Sequence, residues 1–364
     1  MSDVSWVGGI ATAVAQVTTV QITGYDVATT YKITVGSVVI STVGTGGTVN
    51  TTATALAAAW NASTHPYCTG VTALASTDTV TFTGDVAGIP FEITSSVTGG
   101  TGTIGSATEA TASAGPWHLS SAANFLAGAI VANSDSFFVR NNGNPILFGL
   151  NQSAITPTLV QIERSYSGVR SQIGLPAHKF ATSVSAAGAI TYDTTVPEYR
   201  TSSMKFGATT WRVGEDIGGG SQSSGCSLIK LDGGTTSATW LIYSTGRPTS
   251  GDTLPPLRIK NTNAASVAKV YGQSVVGICY ENPADTGQFA TIEVYGGRAF
   301  IGDGVTLATG DCQAGQTLFK NAPTTIKGER GATYILAGSG TITTLEDRGN
   351  LVMQGTYTVT NLKG

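Results

Sequence analysis

The chain has 364 residues, 19 Lys and Arg against 22 Asp and Glu, and a formal net charge of −3. Charged residues make up 11% and apolar residues 41%, which excludes a disordered, charge-rich chain, because disorder goes with low hydrophobicity and high net charge. No basic block offers the footprint for gripping nucleic acid, and no apolar run approaches the roughly 20 residues of a membrane span. Residues 1–9 (MSDVSWVGG) carry neither the basic nor the hydrophobic part of a secretory signal, so the expectation is synthesis in a cytoplasm.

Residues 1–112 read as a small α+β module. Residues 31–42 (YKITVGSVVIST) alternate over two short strands with a turn at Gly36 and Ser37. The period then changes. Ala53, Leu56, Ala57 and Trp60 recur at i, i+3, i+4 and i+7, one face of a helix that Asn50 or Thr51 would cap and that ends near Asn61. Strands follow at 71–76 (VTALAS), 79–85 (TVTFTGD) and 91–97 (FEITSSV), with a turn from Gly84 to Pro90. A Gly/Thr/Ser/Ala stretch from Gly99 to Pro116 reads as a last strand and a linker.

From Trp117 onward the texture is β throughout. Residues 113–198 read as a linker and an irregular β capping segment, and 199–364 as a β-solenoid. The solenoid reading rests on the last seventy residues, which repeat as 297–311, 315–330, 332–347 and 350–364. Leu307, Ile326, Leu345 and Leu362 form one apolar column at spacings of 19, 19 and 17, and Tyr334 and Leu336 align with Leu351 and Met353 at 17. One such coil cannot bury its own apolar face, so coils must stack. About nine coils are expected after residue 200, on the order of 40 Å tall. The fold class is therefore mainly β: a small N-terminal α+β module followed by a parallel β-helix-like domain.

Candidate chemistry is sparse. His65, His118 and His178 lie far apart in loop contexts, and Cys68, Cys226, Cys279 and Cys312 have no metal-type spacing, so buried reduced thiols are expected. No nucleophile-elbow pattern occurs, and the glycine strings at 99–100, 218–225 and 233–234 lack the Lys-Ser/Thr of a phosphate loop. Asp303, Asp311, Glu329, Glu346 and Asp347 fall at expected turns. Glu329-Arg330 and Asp347-Arg348 look like equivalent points of successive coils, a charged edge whose acids and arginines pair along the stack. Trp117, Trp211 and Trp240 lie in or beside strands and are expected in the core rather than against sugar. No catalytic, metal-binding or cofactor-binding residue is assigned, and the chain is not expected to be an enzyme.

Two segments resemble known proteins. Residues 31–63 (YKITVGSVVISTVGTGGTVNTTATALAAAWNAS) with 71–94 (VTALASTDTVTFTGDVAGIPFEIT) resemble small α+β modules recurrent in tailed-bacteriophage structural proteins. Residues 117–156 (WHLSSAANFLAGAIVANSDSFFVRNNGNPILFGLNQSAIT), running on into the terminal repeats, are similar to virion proteins of phages and phage-like genomic regions. The resemblance implies a virion structural protein made in a bacterial host. The expected form is a capsid decoration (cement) protein on the capsid surface, a homotrimer bound to the major capsid protein, with no nucleic-acid or membrane partner. The alternative is a head or tail fibre that binds host-surface glycans; a glycan-degrading spike is a third class.

Overall fold

The computed structural model of the chain describes residues 2–36, 38–65, 67–166, 172–174, 181–184, 190–192, 203–215, 228–243, 255–272, 274–280 and 285–364. His178, Cys226 and the 218–225 glycine string lie outside the described residues, as does most of 177–196. The chain divides into two compact units, one of Met1–Gly9, Ala122–Leu175 and Ser202–Gly364, the other of Ile10–Ser121 and Pro176–Thr201.

The first unit is built on a 20-stranded sheet in which every named pairing is parallel. From Met204–Phe206 to Gly315–Asn321 each strand pairs with the next but one in the chain, the mark of a coil that returns above its own start. One inward column reads Val4, Phe137, Val160, Trp211, Trp240, Ala268, Ile292, Gly310, Ile326, Leu345 and Leu362. A second reads Ile229, Leu257, Val276, Ala299, Thr317, Tyr334 and Leu351. Alternation puts these side chains inside, where most are fully buried, and turns their neighbours outward. At one strand spacing per step, the first column is on the order of 50 Å long.

The predicted repeat is corrected at one point and supported at others. Tyr334–Leu351, Leu336–Met353, Ile326–Leu345 and Leu345–Leu362 are register partners. Leu307 is not in that column; it partners Phe289, and Gly310 faces Ile326. The cause is spatial: a Cβ on Gly310 would lie 2.7 Å from the Phe319 ring, which fills the place a side chain would take.

The parallel sheet also starts earlier than residue 199. Asp3–Trp6 pairs with Ser136–Val139, which pairs with Leu159–Glu163. Those strands belong to the ladder itself rather than to a separate capping segment, and residues 1–9 to this unit rather than to the one that holds Ile10–Ser121. Residues 145–150 contribute only bridging positions such as Ile146–Ile173. The outer edge of Asp3–Trp6 is covered from its own unit. Val7 and Gly8 donate backbone N–H bonds to the Asn124 carbonyl, Leu126 donates to Ser5, and Phe125 meets Trp6 edge-on at 5.5 Å.

The second unit packs the helix Val49–Asn61 against antiparallel strands. Its cap is Thr48, whose hydroxyl accepts from Thr51 N; Asn50 and Thr51 lie inside the first turn. Ala53, Leu56, Ala57 and Trp60 are buried as their spacing predicts. Trp60 donates to the Val71 carbonyl at 2.7 Å and meets Phe82 edge-on at 4.9 Å. Asn61 exchanges two hydrogen bonds with the Ala73 backbone and so covers the edge of Val71–Ser76. One sheet runs Val71–Ser76, Thr79–Gly84, Val17–Gly24 and Thr103–Ile104, with Thr108–Thr111 also on Val17–Gly24; the other runs Val38–Val43, Thr30–Val35, Thr94–Thr98. The strand expected from residue 91 begins at Thr94, because Phe91 is held in a clamp by buried Gln16, which both donates to its carbonyl and accepts from its N–H.

Candidate functional surface

The residues singled out in the sequence do not converge. His65 and His118 occupy separate places in the second unit, and burial lowers the pKa of each; His118 is also bonded to the Gly88 carbonyl at 2.8 Å. Cys68, Cys279 and Cys312 are buried free thiols, and burial pushes the last two up to about 12, so neither is a thiolate at neutral pH. Among the described residues no group of three His, Cys, Asp or Glu is placed to hold a metal. Trp211 and Trp240 stack inside the coil at 4.6 Å, and the Trp240 indole donates to buried Asn261. Trp117, by contrast, is 42% exposed.

The charged turns are arranged differently from expectation. The step from Thr325 to Thr344 is 19 residues, so Lys327 faces Glu346 and Gly328 faces Asp347. Glu329 thus falls opposite Arg348, one residue out of the alignment suggested by the two acid-Arg pairs. Among the described residues no ion pair joins Glu329, Arg330, Asp347 and Arg348. Asp347 instead accepts from the Tyr334 hydroxyl and from Gly349 N.

Charge is organised along a different column, on an outward face of the first unit. Lys269, Glu293, Asp311, Lys327, Glu346 and Lys363 are consecutive register partners. Lys269 pairs with Glu293 at 3.1 Å and Lys363 with Glu346 at 3.3 Å. Asp311, in register with Glu293, accepts from the Gln313 amide at 2.7 Å. Beside this column Tyr243, Tyr271 and Tyr295 stack on successive coils, with ring centroids 5.2 and 5.0 Å apart and planes within 11° and 6°. The Tyr295 hydroxyl donates to Glu293 Oε2 at 2.6 Å, a bond that, with burial second, holds its pKa up at about 12.

Each of these acids is engaged by a cation, an amide or a phenol. None is left poised as a general acid or base beside a free nucleophile. Tyr271 spends both ring faces on its neighbours, and Tyr243 and Tyr295 spend one each. The sequence signal for this stack is subtle: each tyrosine directly follows the last inward residue of its strand, Ile242, Val270 or Val294. The unequal intervals between them conceal it. Compared with known proteins, the chain matches no family model, no curated protein and no solved structure.

Proposed function

We propose that the chain is a structural component of a tailed-phage virion: a capsid decoration protein that binds the major capsid protein lattice as a homotrimer and reinforces the head. The observation that carries this reading is the uninterrupted parallel ladder from Val4 to Leu362. Its backbone hydrogen bonds run along the stack, and its core is filled to within a few per cent exposure over most coils. That construction resists deformation along the ladder, the mechanical property a head under internal pressure requires. The engagement of Glu293, Asp311 and Glu346 by neighbouring side chains favours it over a glycan-degrading spike, and the resemblance of residues 31–94 and 117–156 to virion proteins points the same way. The test is to compare capsids with and without the protein under heat and low salt. Decorated heads are expected to survive conditions that rupture bare ones. Equal resistance would sink the reading, and imaging that places the protein on the tail would replace it with the fibre.

A further inference from the structure

The strand Val38–Val43 (VVISTV) is the edge of its sheet: it pairs with Thr30–Val35 and, among the described residues, with no other strand. Its register fixes which backbone groups are left over. Alternate pairs of an antiparallel ladder exchange both hydrogen bonds. The bond from Gly44 N to Thr29 O, at 2.9 Å, sets the parity, so Val35–Val38, Ile33–Ile40 and Tyr31–Thr42 are the bonded pairs. The N–H and C=O groups of Val39, Ser41 and Val43 therefore point to the open edge. Among the described residues none has a backbone partner; only the Val43 carbonyl takes a contact, the Thr42 hydroxyl at 3.3 Å.

Natural edges are normally guarded by charge, proline or a bulge. This strand holds no charged residue and no proline, and its register with Thr30–Val35 is unbroken. Two other edges in the unit are guarded: Val71–Ser76 by Asn61, and Thr94–Thr98 by polar residues and a bond from Ser95 to the Gly105 carbonyl. On Val38–Val43 the outward side chains are Val39, Ser41 and Val43, with Val39 51% and Val43 57% exposed. The inward set, Val38, Ile40 and Thr42, faces the helix side of the sheet.

We infer that Val38–Val43 pairs antiparallel with the same strand of a second copy of this chain, across a two-fold axis at Ser41. A two-fold perpendicular to the sheet keeps outward residues with outward ones. Centring it on Ser41 sets Val39 opposite Val43 of the copy, twice, and Ser41 opposite itself. Those are also the residues whose backbone groups face the edge, so both the hydrogen bonds and the apolar pairs are satisfied by one register. A strand from an unrelated protein could use the same backbone groups. The Val-x-Ser-x-Val pattern, which is its own complement under the dyad, selects a second copy. This contact is pairwise, and is distinct from any three-fold contact of the decoration reading; either can fail alone.

The experiment uses the full chain. In Ser41→Cys, a short bis-maleimide is expected to give a covalent dimer at least about tenfold faster than in Ser96→Cys, which lies on the opposite edge strand; the unsubstituted chain controls for its own cysteines. In Ser41→Lys, like charges meet at the dyad, and sedimentation velocity over a concentration series is expected to show pairwise association at least about tenfold weaker. Circular dichroism matching the parent shows that the variant is folded. Equal cross-linking at positions 41 and 96, or Ser41→Lys associating as the parent does, overturns the proposal, as does a parent chain that is never more than monomeric.

Discussion

A methyl group at Gly302 would run into the carbonyl oxygen of Cys279, one coil below. That atom is backbone, and the Cys279 amide is itself bonded to Ile259 of the preceding coil, so nothing flexible is available to yield. Cys279 already sits at φ +46, a left-handed conformation that costs a residue with a side chain. Gly302→Ala is therefore expected to destabilise the protein by about 1–3 kcal/mol, the usual range for overpacking. Gly70→Ala is the control: a Cβ there meets nothing within 4 Å, and its φ is ordinary, so the change should stay within about 0.5 kcal/mol. Thermal melts of the two variants beside the parent check both. A Gly302→Ala melt matching the parent would mean that the coils are not in close backbone contact at this turn.

The stack of Tyr243, Tyr271 and Tyr295 makes a testable statement about elements, because it requires three strand ends to arrive in register. The Glu293 carboxylate accepts the Tyr295 proton in a hydrogen bond and opposes the phenolate, so the folded pKa, about 12, lies above the ordinary value of 10.0. A raised folded pKa means that the bond contributes its stability below about pH 10 and loses it as pH rises through about 12. Tyr295 is 42% exposed, so solvent screens the effect and the contribution is small. The difference in phenolate absorbance between the parent and Tyr295→Phe should titrate near pH 12, and Glu293→Gln should bring it back toward 10. A difference curve centred at 10 in the parent would mean that the hydroxyl does not face Glu293. The same elements show what sequence pattern can and cannot carry. Ala53, Leu56, Ala57 and Trp60 were legible as a helix face because a helix is local. Leu307 was misassigned because an apolar residue attracts alignment, whereas the register partner of Ile326 is a glycine whose volume Phe319 supplies. The hairpin of Thr30–Val35 and Val38–Val43 was legible, but its open edge was not, since the sheet order depends on Thr94–Thr98 far down the chain. The pairing of Asp3–Trp6 with Ser136–Val139 leaves no local pattern at all.

For the molecule as a whole, the first unit behaves as a one-dimensional stack in which each coil is stabilised by the coils on either side. Ile292 and Val294, in the middle of the ladder, are almost fully buried, and their strand is paired on both edges. Among the described residues Thr356–Lys363 is paired only on the side of Ala332–Asp347, and Leu362, which continues the inward column, is 71% exposed. Opening Thr356–Lys363 breaks one ladder and exposes little further apolar surface, whereas opening Gly287–Val294 breaks two and uncovers the core. The free energy of local opening should therefore fall from the middle coils toward Thr356–Lys363. Hydrogen exchange read by mass spectrometry should show amides of Thr356–Lys363 exchanging at least about a hundredfold faster than those of Gly287–Val294, a difference of about 3 kcal/mol in opening free energy. Intermediate protection is expected in Gly315–Asn321 and Ala332–Asp347. Uniform protection along the ladder would mean that the coils open all together, and that the nearest-neighbour account of this stack is wrong.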